Sequence, residues 1–148
     1  MKNNFSIAIH GGAGTLVKGL MTSELEAQYK SALEKALEAG YTVLNNGGSS
    51  LDAVETAVKE LEDTPLFNAG KGSVFTNQGT HEMDAAIMDG SNLKGGAVSL
   101  ITGIKNPISL ARDVMEKSDH VFLAGEGAMQ FADRNGYKVM PPSYFYDE

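Results

Sequence analysis

Residues 51–76 read LDAVETAVKELEDTPLFNAGKGSVFT, and the hydrophobic period of the chain changes inside them. Up to Glu62 the apolar residues Leu51, Val54, Val58 and Leu61 recur at helical spacing, which predicts a helix over about 50–62. Glu55, Lys59, Glu60 and Glu62 are expected on its outward face. Pro65 closes the helix. The turn-rich run PLFNAGKGSVF (65–75) follows, bracketed by Phe67 and Phe75, which are expected to pin it to the core. Beyond it the pattern shortens to period two in GSVFT, HEMDAAIMDG and KGGAVSLITG. Turn signals at 77–79 and 89–92 separate these runs, so an antiparallel three-stranded meander is expected. A chain that is helical before this point and strand-rich after it is a layered α/β or α+β domain.

Upstream, FSIAI (5–9) alternates Phe5, Ile7 and Ile9 with small residues and reads as a strand running into HGGAGT. A long helix follows. Ser23 and Glu26 have capping-box spacing, Leu25, Tyr29, Leu33, Leu37, Tyr41 and Leu44 share one face, and Gly47-Gly48 end it. Downstream, Asn106-Pro107 is read as N-cap and first residue of a helix with Ile108, Ala111, Val114 and Met115 inward. HVFLAG (120–125) reads as a short strand and EGAMQFADRNG as a last helix. From about residue 141 the chain loses periodicity and is expected to begin a flexible tail. The predicted order is β-α-α-β-β-β-α-β-α in a single domain over 1–148, without the regular alternation of a doubly wound fold.

Composition narrows the function classes. With 12 Lys+Arg against 19 Asp+Glu the net charge is −7, and no basic block is present, so nucleic acid and anionic membranes are poor partners. The absence of cysteine excludes disulfides and thiolate metal sites. The amino terminus lacks the apolar run of a signal peptide, and a cytoplasmic protein is expected. Generic catalytic motifs also fail. Gly70-Lys71 is followed by glycine rather than Ser or Thr, and HGGAG lacks the third glycine and the βαβ context of a dinucleotide loop. His10, His81 and His120 have no zinc spacing. Asp84 and Asp89 fall on opposite faces of a strand, which makes them ordinary strand and turn carboxylates, and no G-x-S-x-G elbow occurs.

The motifs in combination say more. IAIHGGAGT, LDAVETAVKELEDTPLFNAGKGSVFT, HEMDAAIMDG, KGGAVSLITGIKNPISLARDVME and HVFLAGEGA closely resemble, in order and spacing, the plant-type asparaginase and isoaspartyl-peptidase family of amino-terminal-nucleophile hydrolases. The resemblance reaches to about residue 140. It implies an α-β-β-α sandwich and a precursor that cuts itself in two. The β subunit then begins with a threonine whose hydroxyl attacks the substrate's side-chain amide, its own α-amine acting as base. No segment resembling that nucleophile occurs here, and neither Thr15 nor Thr22 stands in for it, so the chain looks like an α subunit.

The resemblance also implies a sodium ion wrapped by the backbone carbonyls of Leu61, Glu62, Thr64, Phe67, Ala69 and Lys71, and no organic cofactor. Neutral carbonyls suit a hard monovalent cation, although the loop read by itself is an ordinary helix-to-strand connection. Asn68 is placed beside the nucleophile, where an uncharged amide orients it without disturbing the amine; a local turn bond is the simpler role. Gly11, Gly12 and Gly14 give close backbone approach near the scissile bond, and His10 has a maturation or a structural role. Most substrate-binding groups and the oxyanion hole fall to the β chain, and the assembly is a dimer of αβ pairs. The implied substrates are L-asparagine and β-aspartyl dipeptides. Alternatives are a glycosylasparaginase, a non-catalytic binding module keeping half the fold, or a structural interaction protein.

Overall fold

A computed structural model of the chain describes residues 4–12 and 21–145. Its elements are α1 (Ser23–Asn45), α2 (Ser50–Glu62), β1 (Met83–Asp89), β2 (Lys94–Ile101), α3 (Pro107–Lys117), β3 (Phe122–Ala124) and α4 (Gly125–Arg134), with 3-10 turns at Gly70–Gly72 and Pro142–Tyr144.

The two long helices pack through their smallest residues. Ala36 and Gly40 of α1 and Ala53 and Ala57 of α2 are buried. A methyl at Gly40 would fall 2.9 Å from the Ala53 carbonyl oxygen, so the backbones meet there. The predicted Leu/Tyr stripe of α1 is therefore not the helix–helix seam. It receives the amino-terminal segment instead: the Phe5 ring lies 5.2 Å from that of Tyr41, and Phe5, Ile7 and Ile9 are the half-buried residues of 5–9. That segment shows the expected alternation of half-buried and exposed residues but is not a strand of a sheet among the described residues; side-chain packing on α1 holds it. Two cap assignments also shift. Thr22, not Ser23, caps α1, its hydroxyl accepting the Leu25 N–H at 3.2 Å, and Glu26 pairs with Lys30 instead. The reciprocal capping box forms at α2, between Ser49 and Asp52. Within α2, Val54 is 40% exposed where an inward position was expected, and Glu62 is only 3% exposed where an outward one was expected.

The expected meander is corrected in its first strand. β1 and β2 pair antiparallel around the Asp89–Lys94 turn, where the Asp89 carboxylate accepts the Ser91 N–H and the Asn92 amide. Residues 72–76 contribute only a Phe75–His81 bridge. The third strand is β3, parallel to β2 on its other side and reached through α3, so β2-α3-β3 is a βαβ crossover. Long apolar runs separated by one helix allow this pairing as well as a meander allows the other, and local pattern cannot choose between them.

The core lies between this sheet and α3 and α4. Val98, Ile101, Ile104, Leu110, Val114 and Phe131 fill it, and each fully buried branched residue contributes about 1.5–3 kcal/mol. The apolar face predicted for α3 is the one buried. Contact is closest at Gly96, where a methyl would strike the Ala111 carbonyl oxygen and sit 2.6 Å from the Met115 nitrogen. Phe145, at 3% exposure, joins the same core from the segment after residue 141. The opposite face of the sheet is open and apolar. Ala86, Ala97 and Phe122 stand side by side in register, with Met88 two residues along. Met88 and Phe122 are more than half exposed. Among the described residues, no helix is long and apolar enough to cross a membrane.

Candidate active-site cleft

Two glycine-rich loops, more than fifty residues apart in sequence, line one cleft of about 560 Å³. His10, Gly11 and Gly12 form one wall and the loop from Pro65 to Val74, with Asn68, forms another; Tyr29 of α1 closes the side. Phe67 is the hinge between them. Its buried ring meets Tyr29 edge-on at 5.5 Å, and a methyl at Gly11 would fall 2.9 Å from its Cε1 and 3.0 Å from Leu33 Cδ2. A side chain at position 11 would thus push the two loops apart. Gly12 has φ +102°, a conformation that L side chains rarely adopt, and its N–H donates to His10 Nδ1 at 3.1 Å. That bond leaves Nδ1 unprotonated and any ring proton on Nε2. Gly14 lies outside the described residues.

Asn68 is exposed at the loop tip, and its Oδ1 accepts the Val74 N–H at 3.0 Å. The bond closes the loop on itself and fixes the side chain at the cleft. The same amide can orient a second group through its Nδ2 donors. Phe67 anchors the loop as predicted, whereas Phe75 does not enter the core: it is 51% exposed and lies 4.4 Å from the His81 ring. The second anchor is His81 itself, which is buried and bonds through Nδ1 to the Ser73 carbonyl at 2.7 Å.

Between the anchors the backbone curls tightly. Gly70 has φ +52°, and a methyl there would strike the Glu62 carbonyl oxygen. A methyl at Gly72 would strike the Phe67 carbonyl oxygen and fall 2.5 Å from that of Pro65. Three carbonyls, of Glu62, Pro65 and Phe67, therefore converge on two glycines. Glu62 and Phe67 belong to the six expected donors; Pro65 does not. The Phe67 oxygen also accepts the Ala69 N–H, and the Ala69 oxygen accepts the Gly72 N–H, each keeping a second lone pair. Leu61, Phe67 and Ala69 line the cleft directly, while Thr64 and Lys71 are half-buried on the curl. Among the described residues, no group of three or more His, Asp or Glu side chains is placed to hold a metal.

The Glu62 side chain points the other way. Its Oε1 accepts the Ile108 N–H at 2.9 Å at the start of α3. Burial pushes this carboxyl up to about 7, against the opposing effects of that bond and of the Asn106 amide. Asn106 was expected to cap α3, yet its amide donates to Asp63 Oδ1 at 2.9 Å, so the cap comes from Glu62 across the fold. Helical periodicity alone carries no signal for this role, because the partner is 46 residues away. Tyr29 was legible only as an apolar stripe residue, and His81 only as an isolated histidine. Asp84, read from the sequence as an ordinary strand carboxylate, binds the Ser99 hydroxyl and the Leu100 N–H, which hold it below the usual carboxylate range.

A family model described as asparaginase matches residues 3–148. The chain is 53% identical to an isoaspartyl peptidase/L-asparaginase of Xenopus laevis, over 91% of its own length and 42% of the relative's. It is 52% identical to a plant-type L-asparaginase of Pyrococcus abyssi, over 93% of its own length and 44% of the relative's. It is 48% identical to an isoaspartyl peptidase of Salmonella typhimurium, over 97% of its own length and 46% of the relative's. The chain thus spans less than half the length of the curated relatives it matches. With a family model covering nearly every residue, the chain belongs to the asparaginase family.

Proposed function

We propose that this chain is the α portion of a self-cleaving threonine amidohydrolase that hydrolyses L-asparagine and β-aspartyl dipeptides. The observation that carries the reading is the shared cleft: the His10–Gly12 loop and Asn68 meet across Phe67, with glycine where the loops approach most closely. The nucleophilic threonine belongs to the remaining part of the protein. Its hydroxyl attacks the side-chain carbonyl carbon of the substrate while its α-amine takes the hydroxyl proton. The amine passes that proton to the departing ammonia or amino acid, and water then hydrolyses the ester to release aspartate. Asn68, uncharged and tied to Val74, orients the amine or hydroxyl without shifting the amine's proton affinity. Gly11 and Gly12 leave room for the scissile backbone during self-cleavage.

The curl over residues 61–72 fits a sodium ion: converging neutral carbonyls on glycines that admit no side chain form a cradle of the right chemistry. Leu61, Glu62, Thr64, Phe67, Ala69 and Lys71 would hold it, and the ion would stiffen the loop that presents Asn68. The open apolar face of the sheet supports an α-β-β-α sandwich in which a second sheet, from the β subunit, covers Ala86, Met88 and Phe122. The full assembly proposed is a dimer of αβ pairs, and the cysteine-free composition suits the cytoplasm.

The test is denaturing intact-mass spectrometry of the full-length protein with amino-terminal sequencing, followed by assays on both substrate classes. Two chains, one beginning with threonine, and release of aspartate are the expected result. A single uncleaved chain inert on both substrates refutes the reading.

A further inference from the structure

The loop that carries Asn68 has a second mooring besides the Phe67 anchor that its sequence suggests. Glu62 and Asp63 end α2, and both side chains reach back to the turn that starts α3. Glu62 Oε1 accepts the Ile108 N–H at 2.9 Å; Asp63 accepts the Asn106 amide at 2.9 Å and the Lys105 ammonium at 2.8 Å. These three bonds span 42 to 46 residues. α3 is a rigid base, since its Ile108, Leu110, Ala111 and Val114 are in the core. On the other side Glu62 is pressed against the loop: a methyl at Gly70 would fall 2.7 Å from Glu62 Cβ. Glu62 thus sits between the helix start and the middle of the curl, six residues before Asn68.

Stability alone does not ask for such an arrangement. Asn106 occupies the N-cap position of α3 and a local cap would serve, while burying a carboxylate costs free energy that an uncharged residue avoids. We propose that Glu62 and Asp63 are positioning residues: they moor the 63–74 loop to the amino end of α3 and so hold Asn68 at the cleft. The inference rests on the amidohydrolase reading for its kinetic consequence, but the mooring itself is testable without activity.

The experiment uses the full-length protein with Glu62→Leu, Glu62→Gln and Asp63→Ala, and Val114→Ala as a core variant that destabilises α3 without touching the tether. Glu62→Leu is expected to lower kcat on a β-aspartyl dipeptide about tenfold or more while KM stays within about twofold, since a misplaced orienting group costs rate while the substrate's own contacts remain. Glu62→Gln, which keeps an acceptor for the Ile108 N–H, is expected to restore kcat to within about threefold of wild type. Asp63→Ala, at a partly exposed site that does not threaten folding, is expected to lower kcat by about threefold with the same unchanged KM. Amide hydrogen exchange is expected to quicken over both 63–74 and 105–110 in Glu62→Leu, or in Asp63→Ala if the leucine variant is insoluble. Val114→Ala is expected to melt lower with kcat unaltered. The proposal is overturned if exchange over 63–74 matches wild type, if Glu62→Gln is as impaired as Glu62→Leu, or if Val114→Ala loses as much kcat. Wild-type protein inert on both substrate classes would instead sink the functional reading and leave the exchange result to decide the mooring.

Discussion

Replacing Gly72 with alanine tests the curl of the 61–72 loop at its tightest point. The added methyl would overlap the Phe67 carbonyl oxygen and lie 2.5 Å from the Pro65 oxygen, where an ordinary carbon–oxygen contact needs roughly 3.3 Å. Both obstacles are backbone atoms, so no rotamer change relieves them, and the loop must open by about an ångström. Overpacking of this kind costs about 1–3 kcal/mol, and two backbone collisions place Gly72→Ala at the upper end. About 3 kcal/mol is more than a hundredfold in the folding equilibrium. Two companion variants separate the causes. At Gly90 a methyl meets nothing within 4 Å and the backbone is not left-handed, so Gly90→Ala should stay within about 0.5 kcal/mol of wild type. At Gly79 there is also open space but φ is +74°, so Gly79→Ala should cost about 1–2 kcal/mol from conformation alone. The assay is guanidinium unfolding of the full-length protein, read beside the extent of self-cleavage. Gly72→Ala unfolding with Gly90→Ala, and maturing normally, would show that the Pro65 and Phe67 carbonyls do not converge there.

Gly11→Ala should slow self-cleavage and cost about 1–2 kcal/mol, less than Gly72→Ala because Phe67 and Leu33 side chains can yield; normal cleavage would count against close approach of the two loops. Asn68→Asp keeps the oxygen that accepts the Val74 N–H but, on the proposed function, adds charge beside the catalytic amine, so the melting temperature should hold while kcat falls about tenfold or more. Equal kcat in that variant and wild type would remove Asn68 from the active site. Asp84 is held below the usual carboxylate range by the Ser99 hydroxyl and the Leu100 N–H. Its contribution is therefore complete above the unfolded value and lost as pH falls through the lower folded value, and Asp84→Asn should flatten the acid limb of a stability–pH curve measured below about pH 4. An unchanged acid limb would contradict the bond geometry. Replacing sodium with a bulky organic cation at constant ionic strength should lower the melting temperature of the wild type, by the loss of about 2.7 kcal/mol if the ion was a hundredfold above its dissociation constant. Identical melts in the two salts would refute the sodium cradle.

Much of the local structure was legible in the residue order. Period 3.6 over 51–61 and period two after 81 placed α2, β1 and β2, because burial of one helix stripe or one strand face is a local property of the residue order. The inward face of α3, from Ile108 to Met115, was readable for the same reason. The motif set around HGGAG and FNAGKGS pointed to the family that the match over residues 3–148 then established. Long-range packing chose which distant pieces meet. Whether the third strand is 72–76 beside β1 or 122–124 beside β2 depends on where the connecting segments carry the chain, and both segments are apolar enough to serve. Tyr29 and Gly11 come to Phe67 only because small residues at Ala36, Gly40, Ala53 and Ala57 draw α1 and α2 together and leave the Leu/Tyr stripe for the amino-terminal segment. Glu62 was outward by helical spacing and became inward because α3 starts where its carboxylate can reach. Helical spacing orients a side chain relative to its own axis; only the packing of other elements decides whether that direction leads to water or to an unpaired N–H.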